Sequence, residues 1–439
     1  MKYITDTWRW SSRFAMVTVL AAAFVACGDD DDDDDDATNT PGDGGQVQLG
    51  EVDVLGIWGA EELTSFEAMV EPWGGTVNFT GTRDITSQLT LQVEGGNPPD
   101  VAAPAEVGLF QEFARNGRLT PLSACEGLED LIRDKYPESF VELGEVDGEL
   151  YGFFMKADSK ATIFYNPGLF EENDWDVPDG DSSFDDLVSL SEEIRDSGTV
   201  PPWSMGMEEG AGTGFPGTDW IQQILLNESG GDVYDDIVTG EKGFDSDEMK
   251  DAWEKFGEIA LGEGFVLQDG ASAINATNFR DAIYTVFEDP PEAAMVYIGA
   301  FGSGFITTQF PGIEAGTGFD FTTFPGGDVT GGANIVYAFN DDPTTCDFLT
   351  YIAGAEAQQI WVELGGFTSV NEDVDLEAYP NDVARRLAEQ LLDAETFRFD
   401  LDDAIGGGLQ QAYFQGVTQF LTNPDQLDQI LQQIEAARE

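Results

Sequence analysis

Histidine is absent from this 439-residue chain. Its absence excludes Ser-His-Asp and Cys-His catalysis, histidine-ligated zinc and HExxH chemistry. Carboxylate-pair catalysis and oxygen-ligated metals survive. Cations are scarce: 19 Lys plus Arg stand against 85 Asp plus Glu, a formal net charge of −66. With so few cations to neutralise phosphates or hold anionic lipid, nucleic acid and an electrostatic membrane contact are excluded as partners. The acidity serves solubility, or it adapts the surface to concentrated salt, where carboxylates are screened and hydrated; both readings stand. Beyond the N-terminus no stretch approaches 18 apolar residues, so no further membrane span is expected. Cysteine is limited to Cys27, Cys125 and Cys346. What remains is ordinary globular material: 41% hydrophobic and 12% aromatic residues, in a chain long enough for two domains.

The N-terminus reads as a targeting segment. Lys2, Arg9 and Arg13 precede an apolar run over residues 14–26, right for the core of a secretory signal and too short to span a bilayer comfortably. The run ends Phe24-Val25-Ala26-Cys27, which resembles a bacterial lipobox although Phe24 stands where Leu is usual. Residues 1–26 are thus expected to be a lipoprotein signal peptide, with Cys27 the lipidated first residue of the mature chain. An ordinary signal followed by a chance Cys is the plainer alternative. Eight consecutive Asp (29–36), then Pro41, Gly42, Gly44 and Gly45, make residues 27–47 a self-repelling, extended tether. Carboxylates without fixed geometry bind Ca²⁺ weakly. Cys125 and Cys346 form a disulfide in an exported chain or stay buried thiols; their spacing alone decides neither.

Along the globular part the pattern alternates. Residues 51–57 and 76–80 read as strands, 63–73 and 85–93 as helices, and 101–103 as a short buried strand. Alternation of this kind marks a parallel sheet flanked by helices, with ligands outside the carboxyl ends of the strands. A hairpin turn is expected at residues 147–152, and a second α/β region begins near Lys160, with strands at 161–165 and 293–298. Helices are expected at 184–194, 220–226, 247–260, 276–287, 343–364, 382–394, 409–421 and 424–437, and strands at 319–324 and 335–339.

Several segments, in order, resemble the carbohydrate-binding lipoproteins that serve ABC importers. They are Gly95-Gly96-Asn97-Pro98-Pro99-Asp100-Val101, Gly117-Arg118-Leu119-Thr120-Pro121-Leu122, the KATIFYNP run from Lys160 to Pro167, Val200-Pro201-Pro202-Trp203, and residues 212–220 (GTGFPGTDW). Gly365-Gly366-Phe367 and Phe397-Arg398-Phe399-Asp400 complete the set. The α-glucoside-binding group is the nearest match, with maltose-binding protein a more distant relative. Ser204 and Glu292 stand where that group carries cysteines, and residues 402–407 depart from its Asp-Leu-Met-Pro stretch.

The resemblance implies an α/β, two-lobed periplasmic-binding-protein (type II) fold with the ligand in a cleft between lobes. Lobe 1 would comprise 48–158 with 322–370, and lobe 2 would comprise 159–321 with 371–439. Both Cys125 and Cys346 then fall in lobe 1, which favours the bridge. A site for sugar needs aromatic plates for ring faces and paired polar groups for hydroxyls. Hydroxyl contacts are expected from Glu61, Glu62, Arg83, Asp84 and Glu106, and from Ser159, Asp219 and Asp400. Stacking is expected from Phe301, Phe215, Trp220, Tyr413, Trp203 and Phe367. Plainer readings stand beside these: Arg83-Asp84 as a surface pair, Trp220 and Phe215 as core, Glu61 and Glu62 as a helix N-terminus.

No catalytic residue, metal or cofactor is expected. The rivals are a lipid-anchored glycoside hydrolase, for which no motif singles out a carboxylate pair, and an adhesive surface lipoprotein. The acidic stretch 174–181 fails as a calcium loop, because Pro178 occupies a ligand position and the glutamate spacing is wrong. No GxxxxGK[ST] motif is present, so the expected permease and ATPase are separate chains. A monomer on the outer face of the membrane is expected.

Overall fold

The computed structural model describes residues 50–438. The signal peptide, Cys27 with its lipidation, and the tether 27–47 lie outside the described residues, as does the side chain of Glu61. Residues 48–439 form one compact unit.

The apolar positions of strand Glu51–Gly56 bury Val52, Val54 and Leu55. It pairs in parallel with Thr76–Gly81 on one side and Val101–Ala103 on the other. Helices Ala60–Val70 and Ile85–Glu94 make the crossovers, the second turning Ile85, Leu89 and Val93 inward at helical spacing. Val101–Ala103 then meets the long strand Val329–Ala338 antiparallel at Tyr337 and Ala338. The other flank of Val329–Ala338 pairs antiparallel with Gly152–Ser159, followed by Thr368–Ser369 at the edge. A seventh strand, Phe397–Phe399, runs parallel to Val329–Gly331. Gly152–Ser159 and Val329–Ala338 are buried along their whole length, as strands covered on both faces must be.

A second sheet has the order Met295–Tyr297, Thr162–Tyr165, Asp320–Thr323, all antiparallel. It carries its own core, with Phe164, Val296 and Phe321 packed against Phe279, Ile283 and Val286 of helix Phe279–Phe287. The chain passes from the first sheet to the second through Lys160 and Ala161, and returns between Thr323 and Val329. Gln390 Nε2 pins both crossings, donating to Ala161 O at 3.0 Å and Thr323 Oγ1 at 2.9 Å.

The helix expected over 276–287 is two helices, Ala271–Ala276 and Phe279–Phe287. Asn278 breaks the run: its side chain caps Arg280 N at 3.0 Å while its Nδ2 donates to Glu208 O. Helices Leu128–Lys135, Gly231–Thr239 and Gly302–Gln309 were not expected. They are eight or nine residues long, and helices so short owe their stability to packing, which periodicity does not register.

Cys125 and Cys346 are joined, with Cα atoms 5.2 Å apart and a sequence separation of 221. The bridge ties the loop ahead of helix Leu128–Lys135 to helix Pro343–Ala353. Closing so long a loop restricts the unfolded chain, and its removal is expected to cost about 2–4 kcal/mol. The paired Cys125→Ala and Cys346→Ala variant should therefore melt several degrees lower. An unchanged melting temperature would show that the bridge contributes nothing.

Candidate functional site

The loops that leave the carboxyl ends of the parallel strands open into a cleft of about 790 Å³. One wall comes from the first sheet and its loops: Glu62, Arg83, Asp84, Glu106, Lys156, Asp158 and Asn334. Facing them are Glu209, Phe215, Phe279, Phe301 and Phe305, with Asp400, Asp402, Asp403 and Gln410.

Two lysines form its base. Strand Gly152–Ser159 alternates, so Lys156 and Asp158 share a face. Lys156 Nζ lies 2.6 Å from Asp158 Oδ2 and 3.5 Å from Glu62 Oε1. Burial works against the Lys156 ammonium, but Asp158 and Glu62 outweigh it and hold its pKa above the ordinary value. Burial also pushes the Asp158 carboxyl up, against the pull of Lys156. Two residues on, Lys160 Nζ sits 2.9 Å from Asp219 Oδ2 and 3.2 Å from Asp400 Oδ2. Burial opposes its charge too, yet Asp219 and Asp400 keep it well above the usual lysine range.

Asp219 comes from helix Phe215–Ser229, which is buried from Pro216 to Leu226. Gln222, one turn on, donates to both Asp219 Oδ1 and Asp400 Oδ1 and holds the pair in register. Asp402 accepts a hydrogen bond from Thr218 Oγ1, and Asp403 one from Gln410 Nε2 at 3.1 Å. Carboxylate oxygens of Asp219, Asp400 and Asp402 lie within 4.8 Å of one another, a spacing that would suit an oxygen-ligated ion. The Lys160 ammonium already supplies the positive charge there, so the geometry asks for no metal.

The acidic side outnumbers its cations, with consequences for pH. Burial drives Asp219 up to about 7 and Asp402 and Asp403 well above the carboxylate range. In the folded state these groups keep protons that the unfolded chain would release above its ordinary Asp value of 3.8. Their contribution to stability is complete below that value and declines as pH rises toward neutrality. Asp402→Asn, which keeps an acceptor for Thr218, is expected to melt higher than wild type at pH 7–8 and to show a flatter melting profile between about pH 4 and 7. Parallel profiles for both proteins at fixed salt would refute the assignment.

The opposite face is phenyl. Phe301 follows strand Met295–Tyr297 and opens helix Gly302–Gln309. Its ring makes edge contacts with Phe279 and Phe305, at 6.3 and 6.0 Å between centroids. Lys156 and Lys160 lie 5.8 and 5.5 Å from its centroid, and Lys160 is 5.5 Å from that of Phe215, within cation–π range. Gly299 makes this possible: a Cβ there would meet Phe301 at 2.8 Å and the Lys160 stem at 3.0 Å. On the polar wall Trp58 Nε1 donates to Asn334 Oδ1 at 3.0 Å, leaving the Asn334 NH₂ as a donor. Glu106 Oε1 accepts from Thr86 at 3.3 Å, while Oε2 is buried without a protein partner. Burial raises the Glu106 carboxyl above its ordinary value.

Seven of the residues expected from sequence line this cleft: Glu62, Arg83, Asp84, Glu106, Phe215, Phe301 and Asp400. Others lie elsewhere. Trp203 and Trp220 are core, 5.0 Å apart edge to face, with Trp203 Nε1 bonded to Ser191 and Trp220 packed on Tyr297. Tyr413 is fully buried against Phe244 and Trp253. Phe367 stacks on Trp361 inside the first lobe's core. Ser159 spends its hydroxyl on Ala161 N at the crossover. Asp219 lies beneath the cleft, behind Lys160. Arg83 pairs with Glu209 and Glu62, not with Asp84.

Sequence reasoning missed Lys156, Asp158, Lys160, Glu209, Phe279, Phe305, Asp402 and Asp403. A signal existed for three of them. Lys156, Asp158 and Lys160 place charges at every second position of an otherwise buried strand and its exit, and such charges are kept only where each finds a partner.

A family model described as "Bacterial extracellular solute-binding protein" matches residues 63–386. Among curated relatives, the osmoprotective compounds-binding protein GgtB of Synechocystis is 29% identical over 88% of this chain and 92% of its own length. The alpha-glucosides-binding periplasmic protein AglE of Rhizobium meliloti is 29% identical over 85% of this chain and 84% of its own. Among solved structures, the bacterial solute receptor AcbH superposes with a TM-score of 0.75 at 17% identity, covering 88% of this chain and 98% of that one. The raffinose complex of RafE superposes with a TM-score of 0.70 at 15% identity, covering 88% and 98%. With a two-lobed α/β fold, a cleft between its sheets and a family match over most of its length, this chain belongs to the bacterial extracellular solute-binding protein family.

Proposed function

We propose that the cleft binds a carbohydrate, an α-glucoside or a glycoside of similar size, and that the protein delivers it to the permease of an ABC importer. The observation that carries this is the facing of the walls. Phe215, Phe279, Phe301 and Phe305 line one side, while Glu106, Asp158 and Asn334 offer hydroxyl partners on the other. A pyranose has this same division between apolar face and polar rim. The relatives support it: AglE is named for alpha-glucosides, GgtB for osmoprotective compounds, and RafE was solved with raffinose.

The mature chain acts as a monomer outside the cytoplasm, held to the membrane through lipid on Cys27 and the tether 27–47. Lobe 1 is built on the larger sheet and lobe 2 on the smaller, near the expected bounds of 48–158 with 322–370 and 159–321 with 371–439, except that Thr322 and Thr323 pair in the smaller sheet and Phe397–Phe399 in the larger. Ligand touching both lobes stabilises the closed form by its differential affinity, and that form engages the permease. The protein is not an enzyme: the carboxylates at the cleft base are tied to Lys156 and Lys160, which suits fixed hydrogen bonding better than proton transfer.

A melting screen of residues 48–439 against mono-, di- and trisaccharides, glycosylated polyols and free polyols tests the reading. A ligand at a hundred times its dissociation constant should add about 2.7 kcal/mol of stability. A shift confined to one saccharide class supports the proposal and names the substrate. No shift with any of them rejects it, and steady release of reducing sugar would replace it with the hydrolase reading.

A further inference from the structure

We propose that Glu209 is the latch of the cleft, tying its two walls together across the mouth by accepting Arg83 from one wall and Arg280 from the other. The inference rests on reading this cleft as one that closes on a ligand, but not on the ligand's identity.

Arg83 lies between strand Thr76–Gly81 and helix Ile85–Glu94, on the side of the first sheet. Arg280 lies in helix Phe279–Phe287, whose core belongs to the second sheet. Glu209 Oε1 meets Arg83 Nε at 3.2 Å, and Glu209 Oε2 meets Arg280 Nη1 at 3.0 Å. Both oxygens of one carboxylate are thus engaged, each by a guanidinium from a different side. The Glu209 side chain is only 10% exposed, so the pairs are sheltered from salt more than a surface bridge would be.

The second-sheet half of this arrangement is built in. Glu209 N donates to Thr213 Oγ1 at 3.1 Å, and the neighbouring Glu208 holds Asn278 Nδ2 at 2.7 Å. The Arg280 guanidinium lies 4.3 Å from the Phe279 ring centroid and 4.9 Å from that of Phe305. Both rings line the cleft, so the latch is mechanically joined to the surface on which a sugar would stack. Arg83 is the loose half. Its side chain is 38% exposed, and its Nη2 also meets Glu62 Oε2 on its own wall at 3.6 Å. When the cleft opens and the Glu209 contact parts, Arg83 keeps Glu62 on its own wall as a partner.

The need for such a latch follows from charge. Of the cations lining the cleft, Lys156 and Lys160 are committed at its base, leaving Arg83 alone among the lining residues at the mouth. In a chain of net charge −66, closure brings acidic walls together, and a cation shared between them offsets the repulsion.

Small-angle scattering of ligand-free protein, residues 48–439, at low and molar salt tests this without any sugar. Salt screens the repulsion between the walls as well as the latch, so the comparison is made with each variant at the same salt: wild type should populate the compact form more than either variant. Glu209→Gln and Arg83→Gln should each lower the closed-to-open ratio by up to about fivefold at low salt, by less at molar salt where the pair is screened, and combine without adding. Arg83→Gln changes a partly exposed side chain and serves as the variant that keeps the fold. Opening by Glu209→Gln but not by Arg83→Gln would mean that Glu209 only braces Arg280, and would overturn the proposal. So would scattering identical to wild type for both. Because no ligand is present, either result is independent of the melting screen.

Discussion

Lys160→Met is expected to destabilise the protein by about 3–5 kcal/mol near neutral pH, the usual cost of removing one member of a buried ion pair. The ammonium serves Asp219 and Asp400 at once, from a site where all three side chains are almost wholly buried. Without it, two carboxylates face each other with Gln222 as their shared donor. The sign of the pH response follows. In the variant Asp219, no longer held down by Lys160, takes up a proton more readily than in wild type, so the deficit should shrink as pH falls and widen as pH rises. Thermal melts of both proteins across that range measure it. A deficit independent of pH would mean that methionine fails through packing, not through lost charge.

The second large effect falls on binding. Phe301→Ala should weaken saccharide affinity at least tenfold, about 1.4 kcal/mol, while the melting temperature of the ligand-free protein changes little by comparison. Phe301 is partly buried, packs on its neighbours by edge contacts and lines the cleft, so a ligand there can reach its ring. Titration calorimetry with the saccharide that produces the largest melting shift reads the effect. Unchanged affinity would remove Phe301 from the site and leave it a packing residue. The ratio of the two outcomes matters, because Trp220→Ala should do the reverse. That indole is 2% exposed among Trp203, Phe256, Tyr297 and Phe324, so its loss would damage the fold first.

The contrast between Phe301 and Trp220 shows what the sequence made legible. Alternation of apolar runs located the parallel strands, and strand ends then placed Arg83, Asp84 and Glu106 in loops that open on one side of the sheet. That inference needed only periodicity and the handedness of the fold. Aromatic identity was weaker. Trp203 and Trp220 sit in motifs that resemble family motifs, but a helix buried all round, such as Phe215–Ser229, has no polar face from which to read an orientation. There Phe215 at the N-terminal end reaches the cleft, and Trp220, more than one turn later, does not.

The base of the cleft was hidden for a different reason. Lys156 and Asp158 are charged residues in a strand buried along its whole length, with Lys160 at its exit, and partners lie far off in sequence at Glu62, Asp219 and Asp400. Glu209 was invisible for the same cause, since its role depends on two arginines more than 70 residues away. Chemistry built from long-range pairs emerges only when the sheets are assembled.

The most direct test of the central claim is a crystal structure of residues 48–439 with the saccharide that raises the melting temperature most. The predicted result is one sugar ring lying against Phe301, with its hydroxyls bonded to the wall that carries Glu106, Asp158 and Asn334. A saccharide bound away from Phe301, or bound outside this cleft, would contradict it.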